Sequence, residues 1–375
     1  MPKRDHKRLR ILLAGGGTGG HLFPALAIAR GLRAVDQTCD IRFVGSRYGL
    51  EARVLSGENE VFYPLNIRGI QRGLGPVSLG RNLIFPWRFA VSRRRCRQIM
   101  NEFEPHVVVG TGGYASGLPL MVAQGRGIPT LVHEQNAYPG MTTRRLARRA
   151  ELVCLTYKSS AQYFQACEWV LTGNPVRFNS NHLPNRRAAR EQLGLPIRGQ
   201  VVFILGGSQG SRPLNNHFLT HWSTYTEKMK AYLFWQTGSA HFERLRKAIG
   251  TDKRVTLVPF INDMAAAFMA ADLIVSRAGA MTLAELTYLG RPSVLIPLPT
   301  AAADHQTLNA QVLVKKKAAR LIPQSDLLRG KLEEQVKRLI KHPDQLKAMG
   351  KRAQSLARPD AAETIVKHIL ELAEK

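Results

Sequence analysis

Residues 9–29 read LRILLAGGGTGGHLFPALAIA. Leu9–Ala14 is an apolar run that reads as a strand, and it stops abruptly at glycines. Pro24–Val35 then carries helical spacing. Strand, glycine loop and helix in that order open a βαβ unit. The rhythm continues downstream. Ile41–Gly45, Val107–Gly110, Thr130–His133 and Leu152–Thr156 read as short strands, with helical segments such as Leu118–Gln124 and Thr142–Ala150 between them. The pattern predicts an α/β protein with a parallel sheet covered by helices.

The pattern then restarts. Gly173-Asn174-Pro175 and the polar stretch Asn179–Arg190 form a break. Val201–Leu205 is a new apolar strand that again ends in Gly-Gly. Later strands are expected at Leu233–Gln236, Val255–Val258, Leu273–Ser276 and Ser293–Ile296. Two halves that each open with strand, glycine loop and helix predict two Rossmann-like domains joined near Thr172–Asn185. Gly112-Gly113 and Gly279 each precede a helix that ends before a Gly-x-Pro and a strand, an echo of architecture between the halves. Ala361–Ala373 reads as one amphipathic helix. At 375 residues the length also suits two domains of roughly 150 residues or a little more.

The chain carries 54 Lys+Arg against 27 Asp+Glu, a formal net charge of +27. That charge favours polyanions: nucleic acid, anionic lipid or phosphorylated small molecules. Hydrophobic residues make up 44%, enough for packed cores, which excludes a disordered tail protein. Cys39, Cys96, Cys154 and Cys167 form no C-x-x-C pair, which argues against a disulfide scaffold or zinc ribbon and for a reducing compartment. The N-terminus is basic and polar, and Ile11–Ala14 is too short for a signal-peptide core. No stretch approaches the ~20 apolar residues of a membrane span.

Gly15, Gly17 and Gly20 form a G-x-G-x-x-G. Without Cβ atoms, backbone N–H groups can face an oxyanion at a helix N-terminus. A dinucleotide site would also need an acidic residue at the end of the second strand. Ser46-Arg47 stand there instead, and Asp40 lies before the strand. A tight turn without ligand is the plainer alternative. His21 follows the loop, at the strand edge where open α/β sheets bind ligands. The positive helix end favours its neutral, proton-accepting form, although a histidine in a first helical turn can equally be a surface residue. Gly206-Gly207-Ser208-Gln209-Gly210 repeats the device, with Ser208 as an added hydroxyl donor. Arg277–Thr282 is a third such turn. Glu285 follows it on the helix, placed either to accept from two sugar hydroxyls or simply to face solvent. His217 and His221 are spaced i,i+4, as a metal clamp or as a helix-surface pair. No third ligand is near them in sequence.

No acidic residue lies between Glu60 and Glu102. That interval carries Arg68, Arg72, Arg81, Arg88, Arg93, Arg94, Arg95 and Arg97 with Leu83, Ile84, Phe85, Trp87 and Phe89. Arginines mixed with aromatics suit an anionic bilayer surface. The alternative is apolar core under a solvated basic face.

Taken together, GGGTGGHLFPALAIA (15–29), GTGGYASGLPLMVA (110–123), HEQNAYPG (133–140), LTGNPVR (171–177), GGSQGS (206–211), INDMAAAFMAADLIVSRAGAMTLAE (261–285) and HQTLNA (305–310) resemble the MurG family of glycosyltransferases. The resemblance spans most of the chain, in order, and covers both halves. It implies a GT-B fold, two Rossmann-like domains separated by a deep cleft. Residues 1–177, completed by the helix 359–375, would bind acceptor and membrane, and 178–358 would bind UDP-GlcNAc. The implied reaction is inverting transfer of N-acetylglucosamine to the 4-hydroxyl of undecaprenyl-pyrophosphoryl-MurNAc-pentapeptide (lipid I), giving lipid II for peptidoglycan synthesis, and through the wall for cell shape and division. The implied setting is peripheral, on the cytoplasmic face of the inner membrane. The implied partners are the two substrates, the anionic membrane surface and other cell-wall synthesis proteins, with no nucleic acid.

Carried over residue by residue, the resemblance puts Thr18, Gly19 and Gly20 beside the donor, with Asn136 and, at the interdomain hinge, Arg177. It sets Ser208 at the diphosphate, the Ile261 backbone at uracil, and Ala280, Met281 and Thr282 beneath the phosphates. Glu285 would hold the ribose diol and Gln306 would read the sugar hydroxyls, with His305 a weaker neighbour. Tyr114 and Glu134 lie in acceptor-side motifs. The acceptor hydroxyl needs a base as the new bond forms. His21 is the first choice and Glu134 the second. No D-x-D motif is present, so helix N-termini and Arg177 are expected to meet the leaving diphosphate, with no cofactor or metal required. Another GT-B sugar-nucleotide transferase or an epimerase is the alternative within the fold, and a basic nucleic-acid-binding protein the alternative outside it.

Overall fold

A computed structural model describes residues 8–68, 85–178 and 182–374. Arg72, Arg81, Leu83, Ile84 and the first residues of the basic N-terminus lie outside the described residues. Contacts divide the chain into unit 1, Met1–Arg177 with Arg358–Lys375, and unit 2, Phe178–Ala357.

Unit 1 runs β1 (Arg10–Ala14), α1 (Gly19–Val35), β2 (Asp40–Ser46), α2 (Leu50–Gly57), β3 (Phe62–Leu65), α3 (Phe85–Phe103), β4 (Val107–Gly110), α4 (Gly113–Gln124), β5 (Thr130–Glu134), α5 (Met141–Ala147), β6 (Leu152–Leu155) and β7 (Trp169–Leu171). Unit 2 runs α6 (Arg186–Gln192), β8 (Val201–Leu205), α7 (Arg212–Ser223), β9 (Tyr232–Gln236), α8 (Ser239–Ile249), β10 (Val255–Val258), α9 (Met264–Ala270), β11 (Leu273–Ser276), α10 (Ala280–Tyr288), β12 (Ser293–Leu295), α11 (His305–Lys315), β13 (Arg320–Leu321), α12 (Lys331–Ile340) and α13 (Pro343–Gln354). The last helix, α14 (Ala361–Ala373), returns to unit 1. Its Ile365, Val366, Ile369 and Leu372 join Leu22, Ala25, Ile28 and Leu32 in one core.

The sheets are parallel, with strand orders β3-β2-β1-β4-β5-β6-β7 and β10-β9-β8-β11-β12-β13. Ile11–Leu13, Val107–Val109 and Val201–Ile204 are fully buried. Helices on both faces explain why these strands read as continuous apolar runs rather than alternating ones. In each sheet the chain reverses its direction of travel between two central strands, β1 and β4 in unit 1, β8 and β11 in unit 2. Such switch points open a crevice beyond the strand ends. The glycine segments 15–20, 110–113, 206–210 and 277–279 all sit there.

Two helices start earlier than their sequence suggests. α1 begins at Gly19 rather than Pro24, and α4 at Gly113 rather than Leu118. Each keeps a proline inside, Pro24 and Pro119. A proline at this depth removes one amide donor near the helix start, where its loss is milder than in mid-helix. The helix N-termini therefore begin directly at the glycine loops. Three of the four edge strands, β3, β7 and β13, carry weak strand signals, because each has one hydrogen-bonded neighbour and is short. The break at 179–190 gives way to α6 from Arg186.

Arg190 ties unit 2 together below its sheet. Its buried guanidinium donates to Asp272 Oδ2 at 2.7 Å and to the carbonyls of Ala270, Pro196, Ile197 and Gly199. Asp272 also accepts from the Val201 amide at 2.7 Å, at the start of β8. Replacing Arg190 with Met strands four carbonyls and leaves Asp272 to Arg186 and the Val201 amide. Urea unfolding should show unit 2 destabilised by about 3 kcal/mol.

Candidate active site

The glycine loop of unit 1 is occupied from within. Glu51, fully buried at the start of α2, accepts from the Gly17 amide at 2.8 Å and the Ser46 amide at 2.9 Å. A Cβ on Gly16, whose φ is +157°, would strike the Glu51 carboxylate. The loop thus closes around a protein carboxylate, where a dinucleotide enzyme would receive a pyrophosphate. The tyrosine ring of Tyr114 packs against Gly17, and the Phe23 ring against Gly19. Arg177 lies over the same Phe23 ring, 4.7 Å from its centroid. Thr18 is the N-cap of α1, which has no side-chain cap hydrogen bond. The fold therefore gathers Thr18, Gly19, Gly20, His21, Tyr114 and Arg177 along one edge of unit 1.

His21 is held by a defined chain of hydrogen bonds. Its Nδ1 faces two acceptors, the Thr111 carbonyl at 3.1 Å and Gln135 Oε1 at 3.0 Å. Nδ1 must therefore carry the proton, which leaves the lone pair on Nε2. Gln135 is oriented in turn. Its Nε2 donates to the Thr111 carbonyl at 2.8 Å and to Nδ1 of His133 at 3.0 Å. His133 completes the line by donating from Nε2 to the Gly173 carbonyl at 3.0 Å. Burial pushes His133 down to about 4, so it stays neutral and can accept from Gln135. A Cβ on Gly112, with φ +95°, would sit 2.8 Å from His21 Nδ1, so this close approach requires glycine.

Glu134 has a different task. One oxygen accepts from the Asn136 amide at 2.9 Å and the Asn136 side chain at 3.1 Å, and the other accepts from the Gly140 amide at 3.1 Å. The carboxylate is buried beneath the loop it organises. Its geometry is that of a loop anchor carrying Asn136.

The second crevice is built differently. Gly206–Gly210 makes a tight turn after β8, with Gly210 N–H donating to the Gly207 carbonyl at 2.9 Å, and Ser208 exposed at its tip. Gln236 at the end of β9 bridges two loops. It donates to the Gly207 carbonyl at 2.9 Å and accepts from the Ile261 amide at 2.9 Å. The Ile261 amide is thus engaged within the protein. Arg277, at the end of β11, donates to Ser211 Oγ, the Ile296 and Pro297 carbonyls and Gln324. Burial pulls it down to about 10, which still leaves it cationic at neutral pH. α10 opens at Gly279 without a side-chain cap, and Ala280, Met281 and Thr282 form its first turn. Glu285 follows one turn later and is buried. Gln306 uses Oε1 to accept from the Leu298 amide at 3.0 Å. His305 bonds the Ala302 carbonyl at 2.9 Å. Ala303 and Asp304, just before α11, both have φ of +51°, costly backbone for non-glycine residues.

The basic aromatic segment becomes α3. Ser92, Cys96, Ile99, Met100 and Phe103 form its buried face. Phe89 packs on that core, with Phe85 6.0 Å away ring to ring. Trp87, 62% exposed, lies outward with Val91, Arg93 and Arg94. Arg95 turns aside to Glu102 and the Tyr63 ring. The helix thus has an apolar buried face and an exposed face that carries Trp87, Arg93 and Arg94.

Gln135, Gln236, Glu51 and Arg277 were not selected from sequence as site residues. Neighbouring motif letters flagged their segments, but their roles depend on partners far along the chain.

With this geometry in place, comparison with known proteins is informative. Residues 11–155 match the glycosyltransferase family 28 N-terminal domain, and residues 201–365 the glycosyltransferase family 28 C-terminal domain. The chain is 38% identical to the UDP-N-acetylglucosamine--N-acetylmuramyl-(pentapeptide) pyrophosphoryl-undecaprenol N-acetylglucosamine transferase of Halalkalibacterium halodurans, over 97% of this chain and 100% of that one. It is 39% identical to the transferase of the same name from Desulforamulus reducens, over 96% and 97%. The crystal structure of Acinetobacter baumannii MurG superposes with a TM-score of 0.73 at 29% identity, over 97% of this chain and 99% of that one. The paired parallel sheets are thus the two Rossmann-like domains of a GT-B glycosyltransferase. Full-length identity at this level, through both family 28 domains, places the chain in the MurG family of N-acetylglucosamine transferases.

Proposed function

We propose that the protein moves N-acetylglucosamine from UDP-N-acetylglucosamine to the 4-hydroxyl of lipid I, with inversion at the anomeric carbon, to give lipid II. Family membership names the substrates. The observation that carries the mechanism is the hydrogen-bond line that fixes His21 with its Nε2 lone pair available.

The acceptor hydroxyl is too weak an acid to ionise at neutral pH. Nε2 of His21 takes its proton as the oxygen bonds the anomeric carbon and the bond to the diphosphate oxygen breaks. The imidazolium that forms keeps Nδ1–H on Gln135 and Thr111, two acceptors already in place. UDP leaves with added negative charge. The first turn of α10, the turn at Ser208 and the nearby Arg277 supply positive potential for it. These groups support a chemical step without a chelated metal, consistent with the absence of a D-x-D motif. Glu285 accepts from the ribose diol, the Ile261 carbonyl meets the base, and Gln306 donates to the sugar. Glu134 holds Asn136 in place. Trp87, Arg93 and Arg94 dock the enzyme on the anionic cytoplasmic leaflet, where its lipid-anchored acceptor resides. No helix among the described residues is long and apolar enough to cross a membrane.

UDP release from UDP-N-acetylglucosamine should require the lipid-linked muramyl acceptor and persist with chelator present. Release without acceptor, or epimerisation of the donor, would select the alternative chemistry. His21→Ala should lower kcat by ~10²–10⁴-fold. Gln135→Leu removes the acceptor that orients Nδ1. It should lower kcat about tenfold with donor KM little changed, and an altered pH–rate profile would separate positioning from loss of fold.

His133 makes a pH prediction. It is neutral when folded, while the unfolded chain takes up a proton below about 6.5. Its contribution to stability is complete above that pH and is lost as pH falls towards about 4. The expected slope is about 1.4 kcal/mol per pH unit within that window, and His133→Gln should flatten it in denaturant titrations. On the membrane face, removing Arg93 and Arg94 together should weaken sedimentation with anionic vesicles about tenfold or more, given about 1 kcal/mol per basic residue. Activity on a short-chain soluble acceptor should be retained.

A further inference from the structure

Apart from the residues assigned to the transfer, unit 2 gathers three metal-binding side chains. His217 and His221 stand one turn apart on α7. Glu333 comes from the first turn of α12 and supplies the third donor that local sequence lacked. His221 Nδ1 lies 3.2 Å from Glu333 Oε1, and His217 Nε2 lies 3.6 Å from Glu333 Oε2. All three donor atoms fall within 4.8 Å of one another. For metal bonds of about 2.0–2.1 Å, tetrahedral ligands stand about 3.3 Å apart. The cluster therefore has nearly the spacing that one small ion would impose.

The protein satisfies this cluster incompletely. Glu333 Oε2 is buried and has no hydrogen-bond partner. The Glu333 side chain is 12% exposed and that of His217 only 3%. A buried carboxylate oxygen without a donor is costly. Tyr225 hydroxyl lies 3.2 Å from His217 Nε2 and must turn aside for an ion to bind there. His221, 39% exposed, provides the route of entry.

We propose that His217, His221 and Glu333 form a binding site for a divalent transition metal of the zinc class, with water as the fourth ligand. Two imidazoles and one carboxylate are a set that zinc favours and that magnesium and calcium do not. The ion would pin α7 to α12. α7 starts directly after the Gly206–Gly210 turn, so its role is to brace that turn, separately from the transfer chemistry.

The test uses untagged full-length protein, stripped with chelator and dialysed against micromolar Zn²⁺ or Co²⁺. The site requires about one ion per chain by elemental analysis and, with Co²⁺, the intense visible bands of four-coordinate geometry. Zinc should raise the Tm of the wild type. His221→Gln, at the half-exposed position, should bind at least about tenfold more weakly and lose the Tm response, while keeping acceptor-dependent turnover as proof of fold. Glu333→Gln provides the second variant and should lose the Co²⁺ bands. Substoichiometric uptake by the wild type, or uptake undiminished in His221→Gln and Glu333→Gln, would reduce the cluster to an ion pair and overturn the site.

Discussion

The constraint beneath the whole structure is the burial of parallel strands on both faces. Ile11–Leu13 and Val201–Ile204 have no contact with water, so their backbone groups must be satisfied by neighbouring strands. Parallel pairing then places every strand's carboxyl end on the same edge of its sheet. Helices begin at that edge with unsatisfied amides. Where strand order reverses, those amides face a crevice, and each unit has one such place.

The two crevices resolve the same problem with opposite electrostatics. In unit 1 the carboxylate of Glu51 meets the loop amide, and the edge is left to present the imidazole of His21 with Nδ1 held by two acceptors. In unit 2 the turn after β8 and the first turn of α10 have no side-chain cap, and Arg277 adds buried positive charge. One edge suits proton acceptance and the other suits an anionic leaving group. This division explains why a G-x-G-x-x-G in unit 1 does not signal a dinucleotide cofactor. The carboxylate that matters comes from α2 and points into the loop, instead of standing at the end of β2 to receive a ribose.

Parts of the site were legible from sequence because their signals are local. A glycine run between an apolar strand and a helix marks a close backbone approach, and His21 is read directly from its place after that run. Glu285 is visible as a carboxylate one turn into a helix. Other assignments needed contacts at long range. That the Glu134 oxygens accept from Asn136 and Gly140 is not visible from the motif itself. Gln135 looks like a spacer in HEQN until its two ends meet His21 and His133. The Phe85–Phe89 segment reads equally as core or membrane face, and in α3 Phe89 packs on the core while Trp87 is exposed.

The sequence by itself determined the α/β class, the two-domain plan, the family and the glycine-marked edges. Each depends on periodicity, on backbone sterics, or on motifs whose residues are neighbours in the chain. Only the tertiary structure decided the tautomer of His21, the anchoring role of Glu134, the self-satisfied loop at Glu51 and the meeting of His217 and His221 with Glu333. Those depend on hydrogen-bond direction and on distances between residues that chain folding alone brings together.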